Sequence, residues 1–157
     1  MKLTLMTIGA TDDPHLKQLI AQYQTRLKHY VAFYMVGLRD IKNTKNLTEA
    51  QQRQKEGELL LKKVSTTDFL VLLDEKGKQF TSREFSELLQ KRMNSGIKNM
   101  VLAVGGPYGF SDEVHERAHQ KISLSKMTFS HQMVRLFIVE QLYRAFSILK
   151  NEPYHHD

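Results

Sequence analysis

The sequence predicts an α/β protein, a mostly parallel sheet flanked by helices, and three observations predict it. Short runs rich in Val, Ile, Leu and Phe alternate with stretches of helical pattern, as in β-α-β units. Two of those runs, residues 69–73 and 100–104, are almost continuously apolar, as strands covered on both faces must be. The second run leads into Gly105-Gly106-Pro107-Tyr108-Gly109, a glycine-rich turn of the kind found at the carboxyl end of a parallel strand.

Taken in order, the first strand is expected over residues 2–8, ending at Gly9. Asp13 then caps a helix whose first position is Pro14, where a missing N–H costs nothing. A second strand is expected over 31–38, and the polar stretch 39–46 after it reads as a loop, not a domain boundary. Thr48 with Gln51 and Thr81 with Glu84 both match the capping box, so helices start there, and Gly96 is placed to end the second of them. A weaker fifth strand is expected over 121–124 and a last helix over 131–149. No repeat, low-complexity tract or linker interrupts residues 1–157, so a single domain is expected.

That last helix leaves almost no polar face. Met133, Leu136, Phe137, Ile138, Val139, Leu142, Tyr143, Phe146 and Leu149 surround it, and a helix apolar around its circumference needs cover on both sides. The sheet supplies one side. For the other, a second subunit is favoured, which makes this helix a dimer interface; a central helix within one chain is the alternative.

The 157 residues carry a net charge of +6 and no cysteine. Cysteine nucleophiles, disulfides and thiolate zinc sites are thereby excluded. The basic balance favours an anionic partner, nucleic acid first. The opening apolar run is too short for a signal peptide and no later run has the length of a membrane span, so a cytoplasmic protein with no membrane association is expected.

Several residues can carry chemistry. The 105–109 turn is neither a Walker loop nor a dinucleotide fingerprint; it is either a ligand loop or a tight β-α turn. His115-Glu116-Arg117-Ala118-His119 is a literal H-E-x-x-H, which on a helix would bind zinc with Glu116 as general base. No third ligand follows at a suitable spacing, so a zinc hydrolase remains an alternative only, and no metal is expected. His131 and Arg135 share a face near a helix N-terminus, where anions are favoured. Glu140 and Arg144 are also four apart, which suits either an ion pair or a phosphate contact from Arg144. Tyr154 and His155 combine a stacking surface with a group that titrates near neutrality. A non-catalytic basic RNA-binding module is the remaining alternative.

As an ordered set, Gly105-Gly106-Pro107-x-Gly109, the segment from Leu124 to Arg135, Glu140-Gln141-Leu142-Tyr143-Arg144-Ala145 and Pro153-Tyr154-His155 resemble the RlmH type of ribosomal RNA large subunit methyltransferase, a minimal SPOUT family. The resemblance covers essentially the whole chain. It implies a C-terminal trefoil knot, a homodimer and S-adenosyl-L-methionine as cofactor. It implies N3-methylation of pseudouridine 1915 in 23S ribosomal RNA, on the assembled ribosome. By position, Leu73, Gly105, Leu124, Ser125, Lys126, Met127, Thr128 and Phe129 would line the cofactor site. His155, Arg135 and Tyr154 would serve catalysis, His155 as the base; Arg144, His131 and His156 would meet RNA. Ser130, where the family usually has proline, and His156, where it often has Arg or Lys, depart from the pattern.

Overall fold

The computed structural model describes residues 1–157. Five strands, β1 (Lys2–Ile8), β2 (Ala32–Leu38), β3 (Phe69–Gln79), β4 (Asn99–Val104) and β5 (Gln120–Ser123), form one sheet in the order β2-β1-β4-β3-β5. Every pairing is parallel. The helices are α1 (Pro14–Leu27), α2 (Glu49–Lys63), α3 (Ser82–Asn94), α4 (Asp112–Arg117) and α5 (Met133–Leu149).

Alternation along the strands divides the core in two. Leu3, Leu5, Val71, Met100, Leu102 and Val104 meet α1, α3 and α5 on one face. Met6, Ile8, Leu70, Leu72, Val101 and Ala103 meet α2 and α4 on the other. Helix starts follow the side-chain chemistry expected of them. Asp13 accepts the N–H groups of His15 and Leu16, and both capping boxes form, at Thr48 with Gln51 and at Thr81 with Glu84. Gly96, at φ +81°, ends the turn after α3 in the left-handed region where glycine is favoured.

Three expectations need adjustment. The last helix begins at Met133, because Ser130 Oγ accepts the Met133 N–H and the two residues between form a turn. Its sides are covered by α1 and α3 of the same chain, while Ile138, Val139, Leu142, Ala145 and Phe146 press on the sheet. The central-helix alternative therefore accounts for most of its apolar surface, leaving Met133 and Phe137 exposed. Third, β3 runs past Leu73 despite its polar continuation. The register against β5 shifts between Leu73 and Lys78, so Ile122 pairs with both and residues 74–77 bulge out of the ladder.

Gly77 makes that bulge feasible. A Cβ there would lie 2.6 Å from the Ile122 nitrogen and 2.7 Å from its carbonyl carbon, both backbone atoms that have nowhere to go. Gly77→Ala is expected to lower stability by about 1–3 kcal/mol through overpacking. The urea midpoint checks this, and an unchanged midpoint would mean that β5 can shift.

Candidate functional site

The carboxyl ends of β3, β4 and β5 open into a cavity of about 1140 Å³. Leu73, where the β3 ladder is interrupted, and Val104, the last residue of β4, stand at its wall, and the β3 bulge turns Asp74, Glu75 and Lys76 into it. The Gly105–Gly109 turn forms a second side, and the segment from Leu124 to His131 a third. Of the residues expected to line a cofactor site, Leu73, Gly105, Leu124, Ser125, Met127, Thr128 and Phe129 all line this cavity. Lys126 does not; it is exposed outside the lining. His131, expected to meet RNA, belongs to the same wall.

Local chemistry shapes each side. Ser123 Oγ donates to the Ser125 carbonyl, and Ser125 Oγ accepts the Met127 N–H, which folds the segment into a tight turn. Arg53 of α2 reaches the Tyr108 carbonyl at 3.5 Å, tying the glycine turn to that helix. Glu56, one turn on, is buried against Gly106: a Cβ at Gly106 would lie 2.5 Å from its Oε2. Burial pushes the Glu56 carboxyl above the ordinary range, and its Oε1 has no hydrogen-bond partner.

The cavity has an electrostatic character opposite to that of the whole chain. Glu49, Asp74, Glu75, Asp112 and Glu116 line it against only Arg53, Lys76 and Lys121, five carboxylates to three fixed cations, in a chain of net charge +6. Such a wall favours a cationic guest. Asp74 and Glu75 directly follow the apolar run 69–73, at the place where α/β sheets bind ligands; that position was the sequence signal for them.

The H-E-x-x-H segment does not form a metal site. Helix α4 ends at Arg117, and Ala118 is extended, so His115 and His119 do not share a helical face. His119 Nδ1 accepts the Leu70 N–H at 3.1 Å and its ring stacks on Phe69. Burial, with Arg117 and Arg92 nearby, holds its imidazole below the usual value, which suits an acceptor. His115 instead lines the cavity, with Nε2 3.9 Å from Asp74. No group of three or more His, Asp or Glu side chains converges on a common point.

Arg135 requires a correction. Its side chain is 1% exposed and donates four bonds: to the carbonyls of Ile8 (2.8 Å), Gly9 (3.0 Å) and His131 (3.2 Å), and to Thr11 Oγ1 (3.3 Å). Burial lowers its basicity, with Asp12 and Asp40 opposing that effect. A guanidinium so committed is an internal strut tying α5 to the end of β1, not a group presented to substrate.

The tail after α5 is ordered by a dense network. Asn151, at φ 56°, reverses the chain. Tyr30 bonds Glu152, and the Tyr154 hydroxyl donates to Glu140 at 2.9 Å while lying 3.2 Å from the Tyr23 hydroxyl. Burial, and then these neighbours, push the Tyr154 phenol upward. Glu140 also pairs with Arg144 at 2.6 Å, and the guanidinium lies 4.7 Å over the Tyr154 ring. Tyr154 meets Tyr143 edge-on, so its faces are largely taken. His155 sits between Arg144 Nη1 (3.3 Å) and Asp157 Oδ1 (2.9 Å), and Arg83 holds Asp157 with two prongs. Arg83, chiefly, together with His155 brings the Asp157 carboxyl down to about 2. His156 is exposed. The roles of Tyr23, Arg83 and Asp157 had no sequence signal, because their partners are up to 131 residues away.

Within one chain the cavity and the tail are separate. Val134 lines the cavity and Arg144 meets His155, and the ten residue rises of helix from one to the other span roughly 15 Å. The expected site residues therefore form two groups joined by α5.

Residues 1–155 match a family model described as Predicted SPOUT methyltransferase. A protein of Christiangramia forsetii named Ribosomal RNA large subunit methyltransferase H is 62% identical over 156 residues, covering 99% of both chains. A Flavobacterium psychrophilum protein of the same name is 60% identical over 99% of both chains. One from Bacteroides fragilis is 50% identical over the full length of both.

Arg135→Leu is expected to destabilise the fold by about 3 kcal/mol, since it strips the donor from several buried backbone carbonyls. Guanidinium chloride unfolding measures it; a loss below about 1 kcal/mol would show that water replaces the strut.

Proposed function

The chain belongs to the SPOUT methyltransferase family, and on that premise we propose that it methylates large-subunit ribosomal RNA with S-adenosyl-L-methionine as donor, at N3 of pseudouridine 1915 in 23S ribosomal RNA. The observation that carries the donor assignment is the acidic cavity at the strand ends. Its size admits a nucleoside-sized molecule, and its carboxylates complement a sulfonium and an ammonium. Gly105 keeps the wall thin: a Cβ there would lie 3.3 Å from the Gly109 carbonyl oxygen. Leu73, Gly105, Leu124, Ser125, Met127, Thr128 and Phe129 would hold the donor, with Lys126 at the rim. The donor supplies a methyl group already activated by its sulfonium.

The chain's own tasks are alignment and removal of the N3 proton. In this reading His155 takes that proton, Arg144 meets phosphate or the uracil oxygens, and Tyr154 holds the tail in place by its bonds to Glu140 and Tyr23. His131 and His156 extend the RNA contact. Arg135 acts through the fold alone. In this reading the protein works in the cytoplasm, with the ribosome as its partner. The trefoil knot implied by the resemblance belongs to the same reading.

The separation of the two groups of residues supports a homodimer. Phe129 and Phe137 lie 5.0 Å apart beside exposed Met127 and Met133, an apolar rim at the cavity mouth. A second copy seated there brings its own tail toward the cavity of the first.

Labelled methyl from S-adenosylmethionine is expected to enter one nucleotide of the large subunit when intact ribosomes lacking the modification are the substrate. Methyl incorporated at another nucleotide, or none despite donor binding, would remove the assigned target. His155→Ala is expected to cut turnover 100-fold or more with donor affinity nearly unchanged. Mixing that variant with one blocked at the cavity, Gly105→Leu, should restore part of the activity if tail and cavity come from different copies. No restoration would place both in one chain.

A further inference from the structure

Two contacts of fixed polarity converge on His155, and the inference drawn from them rests on its role as proton acceptor. An ionised carboxylate only accepts and a guanidinium only donates. Asp157 Oδ1 lies 2.9 Å from His155 Nε2, and Arg144 Nη1 lies 3.3 Å from Nδ1. Both contacts are satisfied together only by a neutral imidazole that carries its proton on Nε2. Asp157 is itself fixed, because Arg83 Nε lies 2.9 Å from Oδ1 and Arg83 Nη2 lies 2.8 Å from Oδ2. Paired prongs of this kind set orientation as well as charge. The His155 side chain is only 12% exposed, so the ring is held and not merely touched.

We propose that Asp157, anchored by Arg83 of α3, is a positioning residue that fixes His155 as the Nε2–H tautomer and so presents Nδ1 as the base for the uracil N3 proton. Arg144 covers Nδ1 until substrate oxygens draw the guanidinium away. The N3 proton then moves to Nδ1, its bonding pair stays on N3, and the imidazolium directs its second N–H into Asp157. The arrangement divides the labour seen in other histidine bases: one ring nitrogen works and the other is held by a carboxylate.

The charged and titratable groups around His155 come from every packed element. Arg144 and Glu140 lie on α5, Arg83 on α3, Tyr23 on α1, and Tyr154, His156 and Asp157 on the tail. Removing the Asp157 charge leaves the imidazolium without its counter-charge, so the acidic limb of the rate profile moves to lower pH.

The test uses the full-length protein on ribosomes. Asp157→Asn is expected to lower kcat roughly tenfold or more, with KM for the donor unchanged and the acidic limb of kcat shifted to lower pH. Arg83→Ala shifts both readouts in the same direction by less, and Asp157→Glu recovers part of the loss. Nitrogen-15 shifts of the His155 ring should report the Nε2–H tautomer in the parent protein and a mixture in Asp157→Asn. If His155→Ala is inactive while Asp157→Asn and Arg83→Ala keep full kcat and an unmoved limb, Asp157 has no such role. If His155→Ala keeps full turnover, the base assignment fails and this inference with it.

Discussion

One buried arginine sets the geometry on which the rest of the structure depends. Arg135 reaches from the first turn of α5 to the carbonyls that end β1 and to the carbonyl of His131. Those bonds fix where α5 begins relative to the centre of the sheet. The segment from Leu124 to His131 must then cross above the ends of β3 and β4, which encloses the cavity. From the same anchor, α5 runs between α1 and α3 and delivers the tail to Tyr23 and Arg83. A buried cation without a carboxylate partner is an expensive element, tolerated because backbone oxygens replace the water it lost.

Much of the fold was legible because it is written in local chemistry. Capping boxes, the Asp13-Pro14 start and the alternation of apolar runs act over a few residues, and the structure follows each of them. The extension of β3 was illegible for the opposite reason. Its residues past Leu73 are polar, and they pair only because Gly77 lets the backbone of Ile122 come close. The cover of α5 was half legible: the need for it was plain from Met133 to Leu149, but which surfaces supply it depends on packing of α1 and α3.

The candidate site divides in the same way. Backbone-rich segments, the Gly105–Gly109 turn and the Leu124–Phe129 stretch, declared themselves by residue type and by their place after apolar strands. Side chains were harder to read. Arg135 and Arg144 look alike in sequence, each four residues from a polar neighbour, yet one is buried among carbonyls and the other faces the tail. His115 and His119 have the spacing of zinc ligands, but the two-residue shortfall of α4 turns them to different surroundings. Spacing predicts a shared face only where the helix persists.

The acidic wall inside a basic protein bears on how the protein would clear itself after each turnover. A methyl donor of the proposed kind arrives as a sulfonium and departs as a thioether, one positive charge poorer. Asp74, Glu75 and their neighbours attract the first more than the second by Coulomb's law alone, without any movement of the chain. Selectivity for fresh donor over spent product, which many enzymes obtain from a moving lid, is here available from charge fixed in the lining.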